Sequence, residues 1–486
     1  MKKIAILLMM VLALMVAAAC NRDSATQETT TPDVPAPPAQ QQEIPADVSE
    51  PTPDEPEPVI ARDLNRTIRV ACWWVYMPDT GSDPPDPATA ANYLNARLWY
   101  DNQRRIEESF NVTFENIATP WGYVLPNLTS SVMAGDPFAE WVMLPGDHML
   151  PAIMGDLALP ASVFASPTSD LLTLNQFVEQ RVSFQGVLYG FGRAELRTQS
   201  TGLGVNLEII RAIGAQNPVD LWETGQWTWD AMRELMALAT RDTTGDGSID
   251  QFGISGYPGQ IMRNLIATNN GLLVNENTLE FAMEDPRTIT ALEFMEEIFR
   301  NGWWNYDRGA SNPLGDWNRN TWVYQQGNDA LFPIATWKVA EQGVDFDFAV
   351  VPFPVGPQGG QYNNLVGFYQ AILIPNGTYN PQDVYMLYEE LQSWARHEPE
   401  LFTLGTINAM RNYWPTEGDV YRVLYVLGNR DAAKFELGFA INEFSWIFGT
   451  LGWYLFHGYQ TPMQIIETQR PMRQEMIDNA FAGFNR

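Results

Sequence analysis

Segment 242–250 carries oxygen-bearing side chains at the spacing of a calcium-binding loop. Hard oxygen ligands stand at the first, third, fifth, seventh and ninth positions of an EF-hand-like loop, which are Asp242, Thr244, Asp246, Ser248 and Asp250. Gly247 is sixth, where the chain must turn sharply, but Gly253 takes the twelfth place, where a bidentate Glu usually stands. The pattern predicts a structural Ca²⁺ site completed by another oxygen or by water. The alternative is a plain Asp/Gly turn that closes a helix.

A second chemical feature lies at the N-terminus. Lys2 and Lys3 precede an apolar run from Ile4 to Val16, which is too short for a spanning helix and has the proportions of a secretory signal. Small residues then lead to Cys20, as in the lipobox of bacterial lipoproteins, where the signal is cut before the Cys. We expect lipidation at Cys20 and attachment to the membrane surface. The alternative is an ordinary signal peptide with a Cys nearby.

The residues after Cys20 read as a tether, and the overall composition excludes several classes of protein. Residues 20–63 are rich in Pro and acidic residues and poor in large apolar ones, so they cannot bury enough surface to fold.

The 486-residue chain has 29 Lys+Arg against 58 Asp+Glu, a net charge of −29, which argues against nucleic-acid binding. With two Cys and three His, a disulfide framework and a His-rich metal centre are excluded. Cys72 is then predicted to be a buried small hydrophobe.

Strands and helices alternate from Thr67 onward. Short β-branched or aromatic runs such as TIRVACWW, NVTFENIA and EWVMLPG predict strands, and the segments between them have helical spacing. Further strands are predicted at GVLYGFG, DFDFAVVPFP and FYQAILIP. Thr228 is the predicted N-cap of the helix in QWTWDAMRELMALATRD. This alternation predicts a parallel sheet with helices on both faces and ligands beyond the carboxyl ends of the strands.

The order of these segments resembles one known family. SSVMAGDPFAEWVMLPG, GVLYGFG, WTWD…RDTTGDGSIDQFGI, YQQGNDALFPIATW and FAVVPFPVGPQG follow one another as in the family 1 extracellular solute-binding proteins, the sugar receptors of bacterial ABC importers. The resemblance runs from about residue 67 to 377. It implies an α/β, two-lobe periplasmic-binding-protein-like fold with a hinge and an interlobe cleft. It also implies a monomer that binds a carbohydrate and delivers it to permease subunits, without nucleic-acid binding, catalysis or a catalytic cofactor.

This interpretation divides the chain and places the site. The expected segments are a signal peptide, a tether, the first part of lobe 1, the main part of lobe 2, and a return to lobe 1 with C-terminal helices shared between the lobes, at 1–19, 20–63, 64–193, 194–364 and 365–486. Sugars require aromatic faces and fixed polar groups. The candidate ligand-binding residues, just past strand ends or near the lobe crossings, are Trp73, Trp74, Trp121, Asp147, Glu195, Tyr257, Trp337 and Tyr369.

Alternatives remain at this stage. Any one of these Trp side chains can instead be packed core, and the aromatic insert at 301–324 either extends a sugar platform or packs a lobe edge. A surface adhesion module would hold polysaccharide without a large hinge closure. A glycosidase would need two carboxylates that flank the scissile bond. We find no nucleophile elbow, HExxH motif or phosphate-binding glycine loop in the sequence.

Overall fold

Two mixed β-sheets organise the computed structural model, one in each lobe. The structure describes residues 62–73, 93–166, 169, 183–184, 186–192, 201–306, 314, 322–335, 344–365, 370–397, 422, 426, 433–434, 436–441 and 443–482. The predicted signal peptide, Cys20 and the predicted tether up to residue 61 therefore lie outside the described residues. Residues 60–486 form one compact unit. None of the helices in the described part of the chain is long and apolar enough to span a lipid bilayer.

The strands are numbered in chain order. They are β1 Arg66–Cys72, β2 Val112–Ala118, β3 Trp141–Pro145, β4 Ser183–Phe184, β5 Val187–Leu188, β6 Gly190–Phe191, β7 Thr201–Asn206, β8 Phe252–Ser255, β9 Val274–Asn275, β10 Glu280–Phe281, β11 Trp304–Asn305, β12 Asp329–Ala335, β13 Phe348–Val351, β14 Asn364–Leu365, β15 Gln370–Leu373 and β16 Ala433–Lys434.

The α-helices are numbered in the same way. They are α1 Tyr93–Phe110, α2 Val124–Met133, α3 Gly146–Met154, α4 Ala161–Phe164, α5 Leu207–Ile213, α6 Pro218–Glu223, α7 Trp229–Ala239, α8 Pro258–Thr268, α9 Pro286–Arg300, α10 Pro381–His397, α11 Ile447–His457 and α12 Pro462–Ala480. Short 3₁₀ turns are Trp121–Tyr123, Val323–Gln326, Leu437–Ala440 and Phe444–Trp446.

The sheet of the first lobe has the order β2-β1-β3-β15-β6. β1 runs parallel to both β2 and β3, as the alternation of strands and helices predicts. β15 pairs antiparallel with β3, with Gln370 opposite Pro145, and β6 pairs antiparallel with β15. The prediction of a purely parallel sheet is therefore wrong. Only β15 runs against the other strands: β6 is antiparallel to β15 and therefore runs in the same sense as β1, β2 and β3.

The sheet of the second lobe has the order β11-β8-β12-β7-β13. β8 is parallel to β11 and β12, whereas β7 is antiparallel to β12 and β13. The approach between β7 and β12 is close. A Cβ on Gly204 would lie 2.2 Å from the ring of Phe332, so only glycine fits there. The helices α7, α8, α9 and α11 bury their apolar faces in the core around this sheet.

Most of the predicted local features are confirmed. Thr228 caps α7 by accepting a hydrogen bond from the Ala231 N–H. Gly135, which follows α2, takes a left-handed φ of 77°, a conformation that glycine adopts without strain. Cys72 is buried, 1% exposed, with its Sγ 3.6 Å from the Sδ of Met143. The single strand predicted in GVLYGFG is wrong, because the segment forms the two short strands β5 and β6. The domain boundaries stay predictions.

Candidate functional site

Two of the predicted residues follow neighbouring strands of the first sheet. β1 ends at Cys72 and is followed by Trp73, while β2 ends at Ala118, three residues before Trp121. Because β1 and β2 are parallel, their carboxyl ends lie side by side, and the two indoles meet just beyond them. The ring centroids are 4.7 Å apart in a T-shaped arrangement. Trp73 packs against the core of the first lobe, whereas Trp121 is 44% exposed. The pair therefore presents the exposed ring of Trp121, which is held in place by the packed ring of Trp73.

Asp147 lies beyond the carboxyl end of β3, on the same side of the sheet as Trp73 and Trp121. β3 is wholly buried and ends at Pro145, whose extended backbone leads into α3, so that Asp147 falls in the first turn of the helix. A negative charge is favourable there because of the helix dipole. Burial nevertheless raises the pKa of Asp147, and the neighbouring His148 and Arg263 charges and backbone hydrogen bonds oppose this. The carboxylate is thus held partly desolvated and needs polar partners.

His148 extends this group of side chains. It is 8% exposed, its ring centroid is 6.3 Å from that of Trp121, and its buried Nδ1 has no hydrogen-bond partner among the described residues. A buried imidazole nitrogen without a partner is costly unless a ligand or water supplies one. His148 is not among the residues predicted from the sequence, although the sequence shows a His directly after Asp147 at the end of this strand.

The second lobe contributes Tyr257 and Arg263. β8 ends at Ser255, Gly256 turns the chain at φ 107°, and Tyr257 is the N-cap of α8. Arg263 lies one and a half turns further along α8. Burial lowers the pKa of Arg263, whereas Tyr257 and Asp147 act to raise it. Asp147 and Tyr257, on different lobes, therefore share Arg263 as an electrostatic neighbour.

Arg263 is held by aromatic rings rather than by an ion pair in the described structure. Its guanidinium carbon is 4.9 Å from the ring centroid of Phe439 and 5.1 Å from that of Phe448, and its buried Nε has no hydrogen-bond partner among the described residues. Cation–π contacts stabilise the charge and leave donors available for a ligand. The sequence signal was a single Arg within the apolar helix segment PGQIMRNLIAT, which was not used.

The lobes also meet at this place. α3 of the first lobe packs against the 437–440 turn and against α12, and Phe439 of that turn contacts Arg263. The structure thus brings together four of the eight predicted ligand-binding residues, Trp73, Trp121, Asp147 and Tyr257. The other four, Trp74, Glu195, Trp337 and Tyr369, lie outside the described residues and stay predictions. In the insert, Trp303 and Trp304 are 9% and 3% exposed and pack the lobe edge.

The acidic loop is closed by its own hydrogen bonds. Asp242 accepts from the N–H groups of Thr244, Gly245 and Gly247, and Asp250 accepts from the N–H and hydroxyl of Thr243. These bonds lower the pKa of both Asp242 and Asp250. Within the described residues, no group of three or more His, Cys, Asp or Glu side chains is arranged to hold a metal ion. The calcium prediction therefore stays a prediction.

A separate groove of about 570 Å³ lies on the second lobe between α7 and α9. Its central cation, Arg233, donates to Glu297 and Asp230 and lies over the ring of Phe294. The groove shares no residue with the predicted site. We assign it no role.

Comparison with known proteins shows the fold. Neither a family model nor a curated protein sequence matches the chain. Among solved structures, UspC of M. tuberculosis superposes with a TM-score of 0.58 at 18% identity over 84% of this chain and 100% of its own. The GacH receptor of Streptomyces glaucescens, solved with acarbose, has a TM-score of 0.60 at 14% identity over 86% and 100% of the two chains.

A third similar structure is Lmo0181, an ABC substrate-binding protein of Listeria monocytogenes solved with cycloalternan. Its TM-score is 0.60 at 13% identity over 86% of this chain and 99% of its own. This chain has the two-lobe α/β fold of such proteins. The predicted fold class is confirmed.

Proposed function

We propose that the chain is the substrate-binding lipoprotein of an ABC importer, which captures a carbohydrate, an oligosaccharide, between its lobes and delivers it to permease subunits. One observation carries the proposal. Helix α3, which carries Asp147 and His148 beside the Trp73–Trp121 pair, packs against the 437–440 turn, and Phe439 of that turn lies 4.9 Å from the guanidinium carbon of Arg263 on the second lobe. Aromatic faces together with partly desolvated polar groups from two lobes suit a neutral, hydroxyl-rich ligand. The similar structures solved with acarbose and cycloalternan support this choice of ligand class.

The mechanism follows from the division of the site between lobes. A ligand that contacts both Trp121 and Tyr257 binds the closed arrangement better than the open one, so binding shifts the population toward closure. Hydroxyl groups would accept from Arg263 and donate to Asp147, which satisfies groups that are costly to bury alone. The closed form is then the one delivered to the permease, and no covalent step is required.

Two further elements of the proposal come from the sequence. Lipidation at Cys20 would hold the protein on the outer face of the membrane, with residues 20–63 as a spacer. Ca²⁺ at 242–250 would be held by Asp242, Asp246, Asp250 and loop oxygens, which are the hard ligands that Ca²⁺ prefers. Its role there would be to stabilise the fold.

The test is a ligand panel on the Cys20→Ser protein. A ligand bound only by the folded state raises stability by about 2.7 kcal/mol at a hundredfold excess over its Kd. We expect a raised melting temperature with neutral oligosaccharides, and recovery of the ligand intact by chromatography. New reducing ends would show a glycosidase, and the absence of any stabilising glycan would contradict the proposed ligand class.

A further inference from the structure

Glu436 is a buried carboxylate just before the 437–440 turn. It is 6% exposed, and its Oε1 accepts hydrogen bonds from the backbone N–H groups of Leu273, at 3.0 Å, and Val274, at 2.9 Å. Both of these residues lie in the core of the second lobe. A buried charge is costly unless hydrogen bonds satisfy it, and bonds to a charged acceptor are stronger than neutral ones. Glu436 therefore fixes the start of the turn to the second lobe.

The 437–440 turn joins the cores of the two lobes. Phe439 is buried in the core of the second lobe, whereas Ala440 is buried in the core of the first. Leu437, at the start of the turn, packs against both cores. Helix α3 of the first lobe, which carries Asp147, packs on the same turn. A change in the position of the turn therefore reaches both halves of the candidate site.

Phe439 connects the turn to Arg263. Its N–H donates to the Glu436 carbonyl oxygen at 3.0 Å, and its ring centroid lies 4.9 Å from the Arg263 guanidinium carbon. Phe448, whose ring is nearly parallel to that of Phe439, lies 5.1 Å from the same carbon. Glu436, Phe439 and Arg263 line one cavity of only about 10 Å³, which is too small to take up a displaced ring. Because protein interiors are close-packed, a shift of Phe439 must also move Arg263.

We propose that Glu436 is a positioning residue for ligand binding, which acts without touching the ligand. Its carboxylate holds the turn, and the turn holds the Phe439 ring. The ring then keeps the Arg263 guanidinium in the orientation in which it donates to ligand hydroxyl groups. Groups that are ordered before the ligand arrives lose less entropy on binding, so this arrangement raises affinity. The inference rests on the proposed function, in which Arg263 belongs to the site.

The test is a double-mutant cycle, measured by calorimetry on the Cys20→Ser protein with maltotriose and mannotriose as probes. Glu436→Ala should weaken binding by about tenfold, within the range of coupling between residues of one network. Glu436→Gln should keep most of the affinity, because its amide oxygen can accept from the same two N–H groups. In an Arg263→Gln background, Glu436→Ala should have no further effect on affinity, because its effect passes through Arg263.

Two further variants separate positioning from a general loss of stability. Phe439→Leu leaves the Glu436 carboxylate in place and removes only the ring, and it should lose affinity in the same way. Glu140→Ala is the matched control. Glu140 is 8% exposed and accepts from the Arg69 backbone N–H at 2.7 Å, at the opposite end of β3 from Asp147. Its replacement should lower the melting temperature and leave the affinity unchanged.

The outcomes distinguish this inference from the proposed function. If the trisaccharides bind and Glu436→Ala lowers the melting temperature without changing the affinity, Glu436 is only structural and the receptor function stands. An equal loss of affinity with and without Arg263 would also overturn the positioning role. If neither trisaccharide binds the wild type, that result counts against the proposed function, and the positioning is measured in the free protein instead.

The measurement in the free protein uses the ¹⁵N signal of the Arg263 Nε, assigned by its loss in Arg263→Gln. The signal should shift in Glu436→Ala, because the neighbouring ring moves, and should stay in place in Glu436→Gln and in Glu140→Ala. An unshifted signal in Glu436→Ala would contradict the proposal whether or not a glycan binds.

Discussion

At the scale of single residues, Asp147 shows how a candidate ligand-binding residue opposes stability. Its ionised carboxylate is desolvated in the free protein, which raises its pKa because burial disfavours the charge. The native state therefore holds this proton more tightly than the unfolded chain does. The contribution of Asp147 to stability should therefore fall as the pH rises from the unfolded pKa through the raised native pKa, and should be constant above it.

Asp147→Asn should remove that fall and leave the free protein at least as stable as the wild type at neutral pH. It should also weaken ligand binding by about 1.5–3 kcal/mol, the contribution of a hydrogen bond to a charged group. Denaturant melts across the acid-to-neutral range and calorimetry measure the two effects. Asp220→Asn, on an exposed Asp in the first turn of α6, is the control for affinity. A variant that binds as tightly as wild type would exclude Asp147 from the site.

Trp121 is the aromatic whose two interpretations the structure separates best. Its ring is 44% exposed and touches Trp73 by an edge contact of 4.7 Å between centroids. By analogy with stacked bases, Trp121→Ala should cost about 1–3 kcal/mol of binding free energy. A packed-core Trp would instead lose about 3–5 kcal/mol of stability. Melting and calorimetry on the same variant decide, with Tyr379→Ala as the exposed-aromatic control.

At the scale of elements, the sequence predicts what depends on local signals. The buried faces of β2 and β3 follow from the apolar pattern of the sequence, and Thr228 caps α7. The positions after β1, β2 and β3 follow from the parallel pairing of these strands. β6 and β15 join the first sheet from distant parts of the chain, and no local pattern gives their direction. Arg263 was missed for the same reason, because its neighbours Phe439 and Phe448 are more than 170 residues away in the chain.

The 242–250 loop gives a prediction at this scale. If Ca²⁺ binds only the native loop, a chelator should lower the melting temperature of the wild type, because a metal bound by the folded state adds stability by mass action. Asp246→Ala should remove this sensitivity. Asp246 is a suitable choice because the hydrogen bond that it accepts from the Ser248 N–H closes only a local turn. Equal melting of the wild type with Ca²⁺ and with chelator would favour the plain turn closed by Asp242 and Asp250.

At the scale of the whole molecule, the predicted lipid anchor lies outside the compact unit of residues 60–486. Cys20→Ser should release the protein into the soluble fraction with its fold intact, because the compact unit spans residues 60–486 and does not include Cys20. Cys72→Ala is the matched control, since Cys72 is buried and unavailable for lipid. That variant should stay membrane-bound, as cell fractionation would show. Equal membrane retention of Cys20→Ser and wild type would contradict the lipid anchor.

The last prediction concerns closure of the two lobes. The candidate site includes Trp121 and Asp147 from the first lobe and Tyr257 and Arg263 from the second. A ligand that contacts both sets would favour the conformation in which they are nearest. Small-angle scattering of the Cys20→Ser protein should therefore show a smaller radius of gyration with saturating oligosaccharide. Asp147→Asn should need more ligand for the same change, in proportion to its loss of affinity. The tether is present in both samples and contributes equally. A bound glycan that leaves the radius of gyration unchanged would favour a surface adhesion module, because holding a polysaccharide in place requires contacts but no hinge motion.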